Sequence, residues 1–304
     1  MSQIDSPEFQ EFLQSARAVT PDQLNQLLHA CKDQAPQSNI ICKFYLMRCT
    51  ADRFRDDDLT KFICDRALYY VLEKAELQDL KPEKVRELTI RTKDAFEKSA
   101  NTGEPGELLL FLFLEADGIV QLYSKMRLKT SGNISFQGYD AVHIKADDKI
   151  AFHFGHSKLF ANFTQGVNAA LGDIKNYFLN SSHYDLELRL ISRYIDATKF
   201  GKYTNTIRAL CNPYYQHKEK YREVNAVFIG SNWEFLKDGA KKGSQTLDNY
   251  MKASYEAQHS EIASQIRERV AAIDEIKNLP FVFYVLPFLS VADFREKFLK
   301  ELKR

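Results

Sequence analysis

With 42 Lys+Arg against 41 Asp+Glu in 304 residues, the chain has a formal charge of +1, so no bulk positive field draws it to nucleic acid or a membrane surface. Its 44% hydrophobic content supports a sizeable core, in one large domain or two ordinary ones. The apolar run "LLLFLFLE" falls far short of the ~20 residues of a membrane span, "MSQIDSPEFQ" lacks the segments of a signal peptide, and five cysteines without C-x-x-C spacing suggest neither disulfides nor structural zinc.

The expectation is therefore a soluble cytoplasmic protein with no membrane partner. From Thr20 the chain reads as successive helices. "TPDQLNQLLHAC" opens with Thr20 as cap and Pro21 at the first helical position. "DLTKFICDRALYYVL" then puts Leu59, Phe62, Ile63, Ala67, Tyr70 and Val71 on one face, and "KPEKVRELTIRTKDAF" repeats the pattern. Residues 1–99 are expected to form a mainly helical N-terminal region. Such apolar stripes are more often plain core than a partner groove.

The turn cluster "NTGEPGE" starts a helix over Leu108 to Leu114 with almost no polar face, as expected of a helix buried on most sides. "IVQLYSKMRLKT", "YDAVHIKA" and "KIAFHFGHSKLF" then read as a three-strand meander with turns at "SGN" and "ADD". A helix from about Phe160 to Leu179 follows, its inner face carrying Phe163, Val167, Ala170, Leu171, Ile174 and Phe178. "VNAVFIGS" and "PFVFYVLP" are continuous apolar runs, as in strands covered on both faces. Between them Leu247 to Leu279 reads as helical, and "SVADFREKFLKELKR" as a capped terminal helix.

Chemistry concentrates between residues 107 and 158. Side chains two apart on a strand share a face, so Phe154, His156 and Lys158 point one way while His153, Gly155 and Ser157 point the other. A hairpin through "ADD" brings Asp140 opposite His156, and the buried helix offers Glu107 in its first turn. Phosphodiester hydrolysis needs that mixture: a hard divalent cation on oxygen ligands polarises the phosphoryl group, while a lysine steadies the developing charge. Mg²⁺ prefers one or two carboxylates plus waters, which suits Glu107 and Asp140.

The order of Glu on a helix, then Asp, then x-Lys two strands on resembles the PD-(D/E)XK nuclease superfamily. "GEPGELLLFLFLE", "SKMRLKTSGNISFQGYDAVHI", "FGHSKLF" and "FVFYVLPFLSVADFREKF" resemble, more specifically, the nuclease subunit of Hachiman anti-phage defence. That resemblance implies an α/β fold, a restriction-endonuclease-like mixed sheet flanked by helices over residues 100–304. It also implies a DNA nuclease working beside a superfamily 2 helicase, with Glu107 and Asp140 as metal ligands and Lys158 as the catalytic lysine. Where the family pattern has glutamate in Glu-x-Lys, this chain has His156. As a third ligand, imidazole supplies a neutral nitrogen, which weakens a Mg²⁺ site and tolerates Mn²⁺. A natural variant with altered metal preference, a weakened or inactive nuclease, and an engineered substitution all remain open.

Simpler readings stand beside these. Glu107 alone would be a first-turn glutamate favoured by the helix dipole; the downstream Asp and Lys favour the ligand role, with Glu104 and Glu115 as fallbacks. His143 is assigned a supporting or structural role, and Asp147 and Asp148 are solvated turn residues. Lys125, Arg127, Lys129 and Lys145 line a phosphate-backbone approach or, equally, a solvated strand face. No Walker A loop and no G-x-S-x-G elbow is present, which excludes the ATP and serine hydrolysis that depend on them.

Overall fold

Apolar runs that make no amphipathic helix become strands here, and the longest of them form the middle of one mixed sheet. The computed structural model describes residues 6–31, 39–51, 53–79, 81–96, 103–124, 126, 138–212, 221–241 and 243–304. Its strands are β1 (Leu28–Cys31), β2 (Ile40–Met47), β3 (Cys49–Thr50), β4 (Arg53–Phe54), β5 (Val120–Gln121), β6 (Ala141–Ala146), β7 (Ile150–Phe160), β8 (Tyr221–Asn232) and β9 (Phe281–Phe288). The first half holds the helices α1 (Pro7–Ala16), α2 (Pro21–Asn25), α3 (Asp56–Val71), α4 (Lys74–Gln78), α5 (Pro82–Ala95) and α6 (Glu104–Ala116). Then come α7 (Phe163–Leu179), α8 (Ser181–Tyr194), α9 (Ala197–Phe200), α10 (Thr204–Leu210), α11 (Leu247–Glu256), α12 (His259–Ala271) and α13 (Val291–Leu302).

Among the described residues seven strands form one sheet in the order β1-β2-β9-β8-β7-β6-β5. The β2–β9, β9–β8 and β8–β7 pairs are parallel, while β7–β6, β6–β5 and β1–β2 are antiparallel. Parallel strands need cover on both faces, and β9 is accordingly buried along its whole length. Residues alternate between two layers. Ala226, Phe228, Val282 and Tyr284 pack with α3, α6 and α13, whereas Val227, Ile229, Phe283 and Val285 pack with α7, α11 and α12. The fold is thus the α/β class expected, a mixed sheet flanked by helices.

Among the described residues, the N-terminal hundred hold the expected helices and four strands, β1 to β4, that were not expected. The helix capped by Thr20 stops at Asn25, and "LHAC", read as its continuation, is β1. Through β2 these residues join the same sheet as the C-terminal half, Ile40 opposite Phe281. Two carboxylates strengthen the union. Asp117 Oδ2 lies 2.6 Å from Lys43 Nζ on β2 and accepts from Tyr284 Oη on β9 at 2.6 Å. Glu115, fully buried, accepts from the backbone N–H groups of Ala18 and Gln121, both at 2.7 Å.

The β6–β7 hairpin is as anticipated, Ala141 opposite Gly155 and Ala146 opposite Ile150. Among the described residues of the third expected meander strand, Val120–Gln121 pairs with β6, and Lys125, Arg127, Lys129 and the "SGN" turn lie outside the described residues. Phe178, expected on the inner face of α7, is instead 54% exposed in its last turn. Among the described residues no helix is long and apolar enough to cross a membrane.

Candidate active site

Gly106 lets the first turn of α6 settle directly on β7, since a Cβ there would stand 2.5 Å from Ser157 Oγ. Gly155 does the same a turn later, where a Cβ would meet Ala141 Cβ at 2.7 Å and Leu110 Cδ2 at 2.8 Å. This close approach brings Glu107 to the place where β6 ends. The β6–β7 ladder stops at Ala141–Gly155, so His156–Phe160 of β7 are paired with β8 alone among the described strands. Groups from both layers can reach that open edge.

Asp140 occupies the edge. Its N–H donates to Gly155 O at 2.8 Å, and its Oδ2 accepts from Ser157 N at 2.8 Å, between His156 and Lys158. Tyr70, a fully buried residue of α3, places its hydroxyl 3.3 Å from Glu107 Oε2 and 3.4 Å from the Asp140 carbonyl. One hydroxyl proton serves one acceptor at a time, so Tyr70 donates either to the Glu107 carboxylate or to the Asp140 backbone carbonyl. Burial, with Glu107 and Asp140 adding to it, pushes the Tyr70 phenol well above its ordinary value and keeps it a neutral donor.

Strand alternation holds as read. Ser157 faces α6, while His156 and Lys158 face α7. The His156 ring is 2% exposed and lies against Tyr139 and Tyr177, at centroid distances of 5.2 and 5.8 Å. Lys158 Nζ is 2.5 Å from Asp173 Oδ2 on α7, a pair that sequence reading did not foresee. Among the described residues no three His, Cys, Asp or Glu side chains form a group that could hold a metal ion. Glu107 and Asp140 come together around Tyr70, while His156 stands among tyrosine rings on the α7 side.

The two carboxylates fit the donor set of a hard divalent cation, which takes one or two carboxylates and fills its remaining positions with water. The fallback Glu115 is occupied by backbone amides and has Lys199 Nζ at 3.5 Å, and Glu104 is buried at 4% exposure. Lys145 sits five residues along the strand from Asp140, roughly 17 Å away, and pairs with Asp147 at 3.0 Å. The turn residues Asp147 and Asp148 also face Arg222, each at 3.6 Å.

His143 and His153 oppose one another across β6 and β7 on the α6 side. His143 lies beside Phe111, and its Nε2 is 4.0 Å from Glu115 Oε1. Burial holds His143 well below the ordinary imidazole value and pushes His153 down to about 3. A base lowered on folding takes up its proton more readily when unfolded, so its contribution is complete above pH 6.5 and is lost as pH falls toward 3. His153→Phe is expected to flatten that acid limb, since His153 alone costs on the order of 3 kcal/mol at about pH 4. Urea titrations at several pH values measure it; identical slopes in the two proteins would show that His153 does not fold as the neutral base.

These features are accompanied by a clear relationship. The family model for HamA matches residues 22–302. The chain belongs to the HamA family. HamA is the Hachiman defence subunit, and the match spans nearly the whole chain, N-terminal strands included. No curated protein matches it.

Two residues of the site escaped sequence reading. Tyr70 was placed in an apolar stripe, where the only available signal was a hydroxyl on a residue otherwise suited to core. Asp173, in "LGDIK", follows the inner-face Leu171 by two positions, off the apolar stripe.

Proposed function

We propose that this HamA protein is a metal-dependent nuclease that hydrolyses DNA phosphodiesters within a Hachiman defence complex, alongside a superfamily 2 helicase. The observation that carries the reading is that the Tyr70 hydroxyl lies against both the Glu107 carboxylate and the Asp140 backbone carbonyl, while the Ser157 N–H holds the Asp140 carboxylate beside Lys158. Mg²⁺ or Mn²⁺ held by the two carboxylates would polarise the phosphoryl oxygen. Tyr70 orients Glu107, and the Ser157 N–H fixes the Asp140 carboxylate. Lys158 supplies positive charge where the phosphorane-like charge develops, with Asp173 holding the ammonium in the absence of DNA. His156, which lies against Tyr139 and Tyr177, would supply a third ligand on this reading.

A second reading is favoured by one observation: no three metal-binding side chains are gathered among the described residues. In it the chain keeps the fold, binds helicase and DNA, and cuts weakly or not at all. Plasmid cleavage by the chain with its helicase partner and ATP, across Mg²⁺ and Mn²⁺ concentrations, separates the two. The nuclease reading expects metal-dependent degradation that Asp140→Asn removes. Intact plasmid under every condition, from protein that binds its partner, sinks it and leaves the second.

A further inference from the structure

The open edge of β7 continues past Asp140, and an arginine from another element lies along it. Gly155 O and Ser157 N–H point to the side where β6 ends, the first bonded to the Asp140 N–H and the second to its carboxylate. A strand residue sends its N–H and C=O to one side, and the sides alternate along the strand, so the Leu159 carbonyl points to that edge as well. Arg295 of α13 donates to it from Nη2 at 2.9 Å. The guanidinium is therefore anchored two residues, roughly 6.6 Å, beyond the amide that holds Asp140.

This guanidinium lacks a counter-ion. Among the described residues Arg295 forms no ion pair, and its Nε–H, enclosed by protein, meets no acceptor. Leu159 O takes one of the five N–H donors of the side chain. Burial holds the group below the ordinary arginine value, with no carboxylate acting against it. Other cations near the sheet are paired, Lys158 with Asp173 and Lys43 with Asp117. A tie between α13 and β7 needs no more than a neutral donor. A half-buried charge without a partner is costly until an anion joins it.

The charges along the edge also come in a useful order. Asp140 is held at Ser157, Lys158 projects from the next residue toward α7, and Arg295 reaches Leu159 from the α13 layer. Carboxylates suited to a cation are thus followed by two positive groups, one from each face of the sheet. A phosphodiester chain can follow that path, and the planar fork of arginine matches two phosphate oxygens at once. Resting on the nuclease reading, we propose that Arg295 binds the backbone phosphate next to the one at the two carboxylates, with the DNA strand running along the open edge of β7 toward α13.

The test needs no cleavage. Fluorescein-labelled single-stranded oligodeoxythymidine is titrated with the full chain in EDTA at several salt concentrations, beside Arg295→Gln, whose amide can still donate to Leu159 O. At low salt the glutamine variant should bind about tenfold more weakly, as expected for one charge-assisted hydrogen bond. Its slope of log affinity against log salt should be shallower by about 0.7, one phosphate fewer on a single strand. Arg295→Lys, which keeps the charge without the fork, should keep the slope and lose part of the affinity. No binding by the unaltered chain at low salt, or an unchanged slope in Arg295→Gln, overturns the proposal. So does a lysine variant as shallow as the glutamine one, since both would then act through the fold. Loss of helicase association with DNA binding intact would give the guanidinium to a partner's carboxylate instead. Metal-dependent cleavage with a slope indifferent to Arg295 discards the phosphate contact and keeps the nuclease; a shallower slope in a chain that never cuts keeps the contact and discards the nuclease.

Discussion

Lys158→Ala is expected to leave the fold intact and to lower metal-dependent cleavage about 10²–10³-fold, the usual effect of removing one charge that stabilises a transition state. The fold should survive because the ammonium's ion-pair partner among the described residues is Asp173, in a pair with 21% and 43% exposed side chains. Partly exposed ion pairs contribute at most about 1 kcal/mol. Asp173→Asn is the informative comparison. Both substitutions break the ion pair, but only Lys158→Ala removes the cation. If the lysine acts on the phosphoryl group, Asp173→Asn retains most of the cleavage. Equal losses in the two variants, with unchanged thermal unfolding, would mean that the pair matters as a structural tie and that Lys158 is not catalytic.

The strands that frame the site were legible because each has a local signature. β6 and β7 alternate, with a tight polar turn between them, while β8 and β9 are continuous apolar runs. β1 and β2 were missed for a physical reason. "IICKFYLM" has the composition of a covered strand, yet its partner β9 lies some 240 positions away, Ile40 opposite Phe281. Beside the strong start signal of Thr20 and Pro21, the neighbouring leucines read as more helix. Actual helix ends at Asn25 because Leu28–Cys31 gains more by pairing with β2.

The candidate site was legible in kind more than in geometry. Period-two alternation correctly put His153 and His156 on opposite faces, and the hairpin register correctly brought Asp140 beside residues 155 to 157. Tyr70 and Asp173 could not be read, because each reaches the site through helix packing that no local spacing encodes. Nor could the tyrosine surroundings of His156, which depend on the last turns of α7 meeting the residue before Asp140. The same packing exposes Phe178, which helical periodicity alone had turned inward.

His156→Glu is the prediction that bears most directly on what this chain can do. The substitution puts a carboxylate on the Lys158 face, one residue from the Ser157 N–H that holds Asp140. At a site 2% exposed beside two tyrosine rings, an uncompensated carboxylate costs on the order of 3 kcal/mol. The metal-free variant should therefore unfold at lower temperature than the histidine form. If the proposed site is right, it would complete a three-carboxylate set with Glu107 and Asp140 suited to a hard cation, so Mg²⁺ should restore much of that loss, ~2.7 kcal/mol when it reaches a hundred times its dissociation constant. Cleavage in Mg²⁺ should rise in parallel, whereas the histidine protein should work better in Mn²⁺, which takes nitrogen ligands more readily. Thermal unfolding with and without each metal, followed by plasmid degradation in the presence of the helicase partner, reads both effects. A glutamate form that gains neither Mg²⁺-dependent stability nor Mg²⁺-dependent cleavage would rule out position 156 as a metal ligand.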